Sequence, residues 1–284
     1  MDKDRALAFA TATTDGFVPG TLVMLHSFLK ENPWFRGDIL VLHDGLSERN
    51  VELLGLLSPR VRCVRIGDAL RTAIPTVLEA IPELAPLQAR FYSLDLFAQQ
   101  GYDAAIFCDS DILIRGSVEE ALKGDAAFRA VDARVSHVLP DPDAPDAPRV
   151  RSLNSGFFVV DRALLSPQVH EELLALTTPA TFDGMRATLA DQVVLNVRFA
   201  ESFASLDPAY NYLLSRTRGS QGERMEAMLA AKVLHFVGPR NPWMPEQVLE
   251  RSTEDPVMVR AFGLWLSSYA GCLESLSVAS ALRG

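Results

Sequence analysis

YDAAIFCDSD, Tyr102–Asp111, is the stretch that decides the fold. Its apolar part is short and bounded, the length of a buried strand rather than a buried helix. It runs directly into two carboxylates, Asp109 and Asp111. Residues two apart at a strand end face the same way. Both are hard oxygen ligands of the kind that bind Mg²⁺ or Mn²⁺. An Asp-x-Asp triplet also arises by chance, and a solvated turn is the competing reading. An apolar strand ending in two carboxylates nevertheless calls for a counter-ion.

Toward the N-terminus the same kind of strand recurs. Arg5–Thr13 is apolar and ends in Thr14-Asp15-Gly16, a first strand. Pro19 suits the first turn of a helix reaching about Lys30. Asp38–His43 reads as a second strand, closed by Asp44-Gly45, and Val61–Ile66 as a third. Between them Ser47 through Leu57 reads as a helix with Ser47 as its N-cap. Leu87–Gln99 has helical periodicity and leads to the strand Tyr102–Cys108. Strand and helix alternate, which means a mostly parallel sheet with helices on both faces. Such sheets bind ligands beyond the carboxyl ends of their strands. Thr13–Asp15 and Asp109–Asp111 lie at that edge.

Toward the C-terminus the pattern is less regular. Ala127–Val131 and Gly156–Val160 read as strands, with Asn154-Ser155-Gly156 as a turn entering the second. Leu139–Pro148, rich in Pro and Asp, reads as a loop, either a plain connector or a wall over the site. Asp191–Arg198 is a helix whose N-terminal amides favour the Asp191 carboxylate, and Lys232–Val237 is a late strand. Glu254–Leu282 is an amphipathic helix in two pieces around Gly271, poor in Lys and Arg and packed on the core. His235 lies on an apolar strand. Such a residue is ordinarily a core histidine; a ligand role needs partners, and the Asp109/Asp111 pair supplies them.

The chain has 284 residues, 48% of them hydrophobic, with a net charge of −9. That suffices for one large domain or two joined lobes, and an acidic chain lacks the footprint of a nucleic-acid binder. Cys63, Cys108 and Cys272 form neither a disulfide framework nor a zinc pattern and fit a reducing cytoplasm. The N-terminal segment reads as neither signal peptide nor anchor. No run reaches the roughly 18 apolar residues of a membrane span.

Taken in order, these segments resemble the retaining glycosyltransferases of family 8, the group that includes glycogenin and bacterial lipooligosaccharide galactosyltransferases. The matching segments are ATATTDGFVPGTLVMLHS (Ala10–Ser27), IFCDSDILIRGS (Ile106–Ser117), LNSGFFVVD (Leu153–Asp161), ADQVVLN (Ala190–Asn196), DPAYN (Asp207–Asn211) and HFVGPRNPW (His235–Trp243). The resemblance implies an α/β GT-A fold: a Rossmann-like, mostly parallel sheet flanked by helices, with C-terminal helices. It implies a domain over residues 1–250, nucleotide-binding to about 115 and acceptor-binding beyond, followed by a helical segment 251–284.

The same resemblance implies a nucleotide-sugar donor, usually UDP-linked, and a hydroxyl acceptor. Ala12, Thr13, Thr14, Asp15 and Phe17 match the nucleotide contacts, with Phe17 stacking on the base, and Ser110 lies between the metal-binding pair. Asp109 and Asp111 match that pair and His235 its third ligand, for Mn²⁺ or Mg²⁺; an imidazole beside carboxylates favours Mn²⁺. Gly238 matches a glycine that approaches the diphosphate. Asn154, Asp191 and Gln192 match residues that hold the donor sugar, and Asp132 a carboxylate near sugar and acceptor. Two positions depart from the family. Asn241 stands where a phosphate-binding Lys is usual, with Arg240 beside it. Ser93 stands at a basic position, with Arg90 the nearest cation. These departures support a second reading, a sugar-nucleotide-binding protein with weakened or no turnover. A nucleotidyltransferase ranks lower, because TATTDGFVPG has no cation for a phosphate loop. A small soluble acceptor is favoured, since no basic C-terminal tail meets an anionic membrane. The oligomeric state stays open, a homodimer included.

Overall fold

The computed structural model describes residues 5–140, 150–216, 218–238, 241–244, 246, 248 and 255–282. Arg240 and nearly all of the Leu139–Pro148 loop lie outside the described residues.

Seven strands form the main sheet: β1 (Leu7–Ala12), β2 (Asp38–His43), β3 (Val61–Arg65), β4 (Ala104–Cys108), β6 (Phe128–Asp132), β7 (Leu153–Asp161) and β8 (Ala204–Ser205). Their order is β3-β2-β1-β4-β7-β6-β8. The pairs β2–β3, β1–β2, β1–β4 and β6–β8 are parallel, and β7 runs antiparallel to both β4 and β6. A second, three-stranded sheet has the order β5-β10-β9, with β5 (Ile112–Ile114), β9 (Tyr212–Leu213) and β10 (Val233–His235).

Side chains alternate across the main sheet, as a two-residue period requires. Leu7, Phe9, Ile106, Phe157 and Val159 face one core, beneath helix α1 (Val18–Glu31). Ala8, Ala10, Phe107, Phe158 and Val160 face the other, beneath α3 (Asp68–Ala80), α4 (Pro167–Leu176) and α5 (Asp191–Phe199). On that side Phe97, Phe128, Phe158 and Phe199 stack at centroid distances of 4.6–6.3 Å. A third core joins the small sheet to α6 (Gln221–Ala230) and to the C-terminal helix α7 (Pro256–Ala281).

Four readings of the sequence need correction. Leu87–Gln99 is not an α-helix: Pro82–Ala98 forms a run of 3-10 turns. Pro82 and Pro86 lack the N–H an α-helix needs, and Phe91–Phe97 is buried throughout, so no polar face sets a 3.6-residue period. The C-terminal helix is continuous through Gly271, where a Cβ would sit 3.4 Å from His26 Cε1. A single glycine inside a 26-residue helix does not break it. Asn154-Ser155-Gly156 is not a turn but part of β7. Ser47 precedes α2 (Glu48–Leu57) as expected, but its side chain does not cap that helix. Its N–H and hydroxyl donate instead to the Asp15 carboxylate, 3.0 and 3.2 Å away, and Asn50 Nδ2 donates to the same oxygen at 2.7 Å.

Candidate active site

β1 connects toward β2 and β3 on one side, and β4 lies on its other side. Between the carboxyl ends of β1 and β4 the connections diverge, which opens a crevice at the sheet edge. The chain closes the base of this crevice itself: Ser110 Oγ donates to the Ala12 carbonyl at 2.6 Å.

Asp109-Ser110-Asp111 is the hinge between the two sheets. Cys108 ends β4, paired with Phe157, and the Asp109 N–H donates to the Gly156 carbonyl at 2.9 Å. Ile112 begins β5, paired with His235 on β10, and the Phe236 N–H donates to the Asp111 carbonyl at 2.9 Å. Backbone ladders from both sheets therefore fix the two carboxylates and the imidazole. His235 Nε2 lies 3.1 Å from Asp111 Oδ1 and 3.6 Å from Asp109 Oδ2. One ligand atom from each residue falls within 4.8 Å of the others. Two hard oxygens and one imidazole nitrogen, held this closely on ladders, fit a divalent cation such as Mn²⁺.

The electrostatics agree. Burial, reinforced by the Asp111 carboxylate, pushes the Asp109 carboxyl up to about 7. Burial works to lower the His235 pKa, but Asp111 and Asp109 outweigh it and raise the net value. Two carboxylates that repel each other are relieved by a bound cation.

The wall beside the hinge comes from β7 and α5. Gln192 Oε1 accepts from Asn154 Nδ2 at 3.0 Å and from the Ser155 N–H at 3.3 Å. That leaves Gln192 Nε2 without a protein acceptor among the described residues. Asp191 is buried; its Oδ2 accepts from Ser93 Oγ at 2.7 Å and its Oδ1 from Ser155 Oγ at 3.5 Å. Burial raises its carboxyl to about 6, against the lowering effect of Ser93. Ala190, just before α5, has a φ of 51° although it is not glycine. That strain, of order 1–3 kcal/mol, is concentrated where the backbone aims Asp191 and Gln192.

The remaining expected residues lie as follows. Thr13 is buried, its hydroxyl 2.7 Å from that of Thr21. The Thr14 carbonyl accepts from the Phe17 N–H at 2.9 Å, closing the turn after β1. Phe17 is 38% exposed and stands edge-on to Trp243, with centroids 5.3 Å apart. Gly238 has a φ of 104°, a conformation that favours glycine. Arg90 is exposed and donates to the Thr188 carbonyl at 3.1 Å, and its charge lowers the pKa values of both Asp191 and Asp109. Asp132 ends β6 and stands 3.6 Å from Arg151 Nε, away from the hinge contacts.

Two residues of the site carry no role in the sequence reading. A Cβ on Gly156 would lie 2.3 Å from His235 Cε1 and 3.0 Å from Asp109 Oδ2. Asn211 Oδ1 lies 2.8 Å from His235 Nδ1. Both contacts follow from strand register, for which the local sequence has no signal.

The family model for glycosyl transferase family 8 matches residues 8–246, most of the chain. The chain belongs to glycosyl transferase family 8. A curated family member, glycogenin of Neurospora crassa, is 25% identical over 262 residues; the match takes in 90% of this chain and 34% of that protein. The chain thus spans about a third of the length of that relative. Among solved structures, the galactosyltransferase LgtC in complex with donor and acceptor sugar analogs matches with a TM-score of 0.65 at 16% identity, over 93% of this chain and 95% of that one. The bifunctional glycosyltransferase WbbM matches at 0.59 and 16% identity, over 92% and 52% of the chains. Mouse xyloside xylosyltransferase 1 matches at 0.54 and 14% identity, over 84% and 99%. This family 8 chain has the expected GT-A fold, and among its described residues no helix is long and apolar enough to cross a membrane.

Proposed function

We propose that this glycosyltransferase moves a hexosyl unit, with retention, from a UDP-sugar to the hydroxyl of a small acceptor, supported by Mn²⁺ (or Mg²⁺) at Asp109, Asp111 and His235. The observation that carries this reading is the convergence of those three ligand atoms at the carboxyl edge of β4, beside the β1 crevice. When bound there, the cation offsets charge growing on the diphosphate leaving group. Asn154 and Gln192 orient the sugar, with Gln192 Nε2 as the donor left free for a sugar hydroxyl. Thr14, Asp15 and Phe17 border the place of the base.

In the step itself the bond from the anomeric carbon to the diphosphate oxygen breaks. The acceptor oxygen forms its bond on the same face, and its proton passes to the departing phosphate. A covalent glycosyl-enzyme on Asp191 is the less favoured route, because Asp191 has a competing role in holding the donor sugar; a trapped glycosyl adduct on Asp191 would overturn this preference. The alternative, a nucleotide-sugar-binding protein without turnover, draws on Ser93, which supplies a hydroxyl to Asp191 where the family has a cation. Cys63, Cys108 and Cys272 are all unpaired and suit a reducing compartment such as the cytoplasm.

Thermal-shift measurements with Mn²⁺ and UDP-, GDP- and TDP-sugars test the donor. The expected result is a rise in melting temperature with a UDP-hexose that needs Mn²⁺, worth about 2.7 kcal/mol at a hundred times Kd. If no nucleotide sugar shifts the melting point in the presence of metal, the reading is wrong.

A further inference from the structure

Beyond the three ligand atoms, a chain of amides runs behind His235, and backbone donors fix its polarity. The Gly156 N–H donates to Asn154 at 3.0 Å, so the Asn154 atom facing it is the carbonyl Oδ1. The Asn211 atom that meets this same oxygen, 2.5 Å away, must therefore be the donor Nδ2. That orientation turns Asn211 Oδ1, a pure acceptor, toward His235 Nδ1 at 2.8 Å. The other end of the Asn154 amide agrees: its Nδ2 donates to Gln192 Oε1, which also accepts the Ser155 N–H. No member of the chain can be flipped without setting two donors or two acceptors face to face.

The geometry points to Asn211 as a positioning residue that holds the proton of His235 on Nδ1 and leaves the Nε2 lone pair directed at Asp109 and Asp111. This rests on the proposed cation site. It adds that the site is oriented from a third strand: Asn211 immediately precedes β9, whose Tyr212 and Leu213 pair with Leu234 and His235 of β10. Asn211 and His235 are both buried, so no water replaces the amide if it is lost. The same amide chain reaches Asn154 and Gln192, so the cation ligand and the sugar-facing amides share one hydrogen-bonded network. An imidazole whose second nitrogen is held by a fixed acceptor is a better-oriented and more basic ligand, and removing such a partner typically weakens metal binding 10- to 100-fold.

Two readouts on the full chain test this. The first is the ¹⁵N spectrum of the His235 ring in protein saturated with diamagnetic Mg²⁺, where the ion rather than a proton lies between Nε2 and the carboxylates. The second is Mn²⁺ affinity by calorimetry. Wild type is expected to show the Nδ1–H tautomer. Asn211→Leu is expected to lose that preference and to bind Mn²⁺ 10- to 100-fold more weakly. Asn211→Asp keeps the acceptor toward His235 but sets a carboxylate oxygen against Asn154 Oδ1, and is expected to recover only part of the affinity. An Nε2–H tautomer in wild type overturns the proposal, as does Asn211→Leu binding Mn²⁺ as tightly as wild type. If wild type binds neither Mn²⁺ nor Mg²⁺ the cation reading fails, whereas tight binding that Asn211→Leu leaves unchanged fails the role of Asn211 alone.

Discussion

At the scale of single residues, Asp109 joins stability to function. Its folded pKa of about 7 lies above the ordinary carboxyl value of 3.8, so folding favours the protonated form. The stability it contributes is complete below about pH 4 and is lost as pH rises through about 7. Metal-free wild type is therefore expected to lose melting temperature across that window relative to Asp109→Asn, which has no charge to set against Asp111. Thermal denaturation in chelator from pH 4 to 8 measures this, and parallel curves for the two proteins contradict it. With Mn²⁺ the order is expected to reverse, since only wild type gains from the ion. Asp109 and Asp111 are legible in sequence because they are two residues apart at the end of a visible strand. Ser93 is legible only as a departure: its bond to Asp191 spans 98 positions, and no local pattern announces it.

Among the elements, β7 carries the most consequence per residue. One side chain in two packs into each core, and its first residues build the site wall. Gly156 is required there for space rather than for backbone conformation, because its φ is outside the left-handed region. Gly156→Ala is accordingly expected to keep its secondary structure by circular dichroism while losing Mn²⁺ affinity on the order of tenfold or more, since the His235 ring must move. Calorimetry at wild-type affinity would show that the ring tolerates the methyl group. The sequence places the strand but starts it too late, because Asn and Gly are read as turn residues where the neighbours β4 and β6 impose extended backbone. The 3-10 segment Pro82–Ala98 fails in the other direction. Its apolar spacing imitates a helix, yet it is buried on every side from Phe91 to Phe97, so spacing carries no information about period. The continuous α7 shows the same limit, since one interior glycine such as Gly271 costs a helix only about 1 kcal/mol and need not end it.

Over the whole molecule, the site exists because two sheets meet at one tripeptide. The main sheet delivers Asp109, the small sheet delivers Asp111 and His235, and Ser110 ties the junction to the end of β1. The parallel half of the main sheet is plain from alternating strands and helices, since each strand there is contiguous and apolar. Of the small sheet only β10 is plain, within the apolar run Lys232–Val237; β5 has three residues and β9 two, too short for any periodicity to register. His235 is legible as a residue on an apolar strand that the Asp109/Asp111 pair could recruit, and the family resemblance assigns it the ligand role; its partners Asn211 and Gly156 emerge only from the structure. A cation-dependent glycosyl-transfer site at this junction has a direct consequence for donor breakdown. The most direct measurement is release of UDP from a UDP-hexose by wild type with Mn²⁺, by wild type in excess chelator, and by folded Asp111→Asn. The account predicts Mn²⁺-dependent release in the first and its near-complete loss in the other two. Undiminished release in chelator, or by Asp111→Asn, would contradict it.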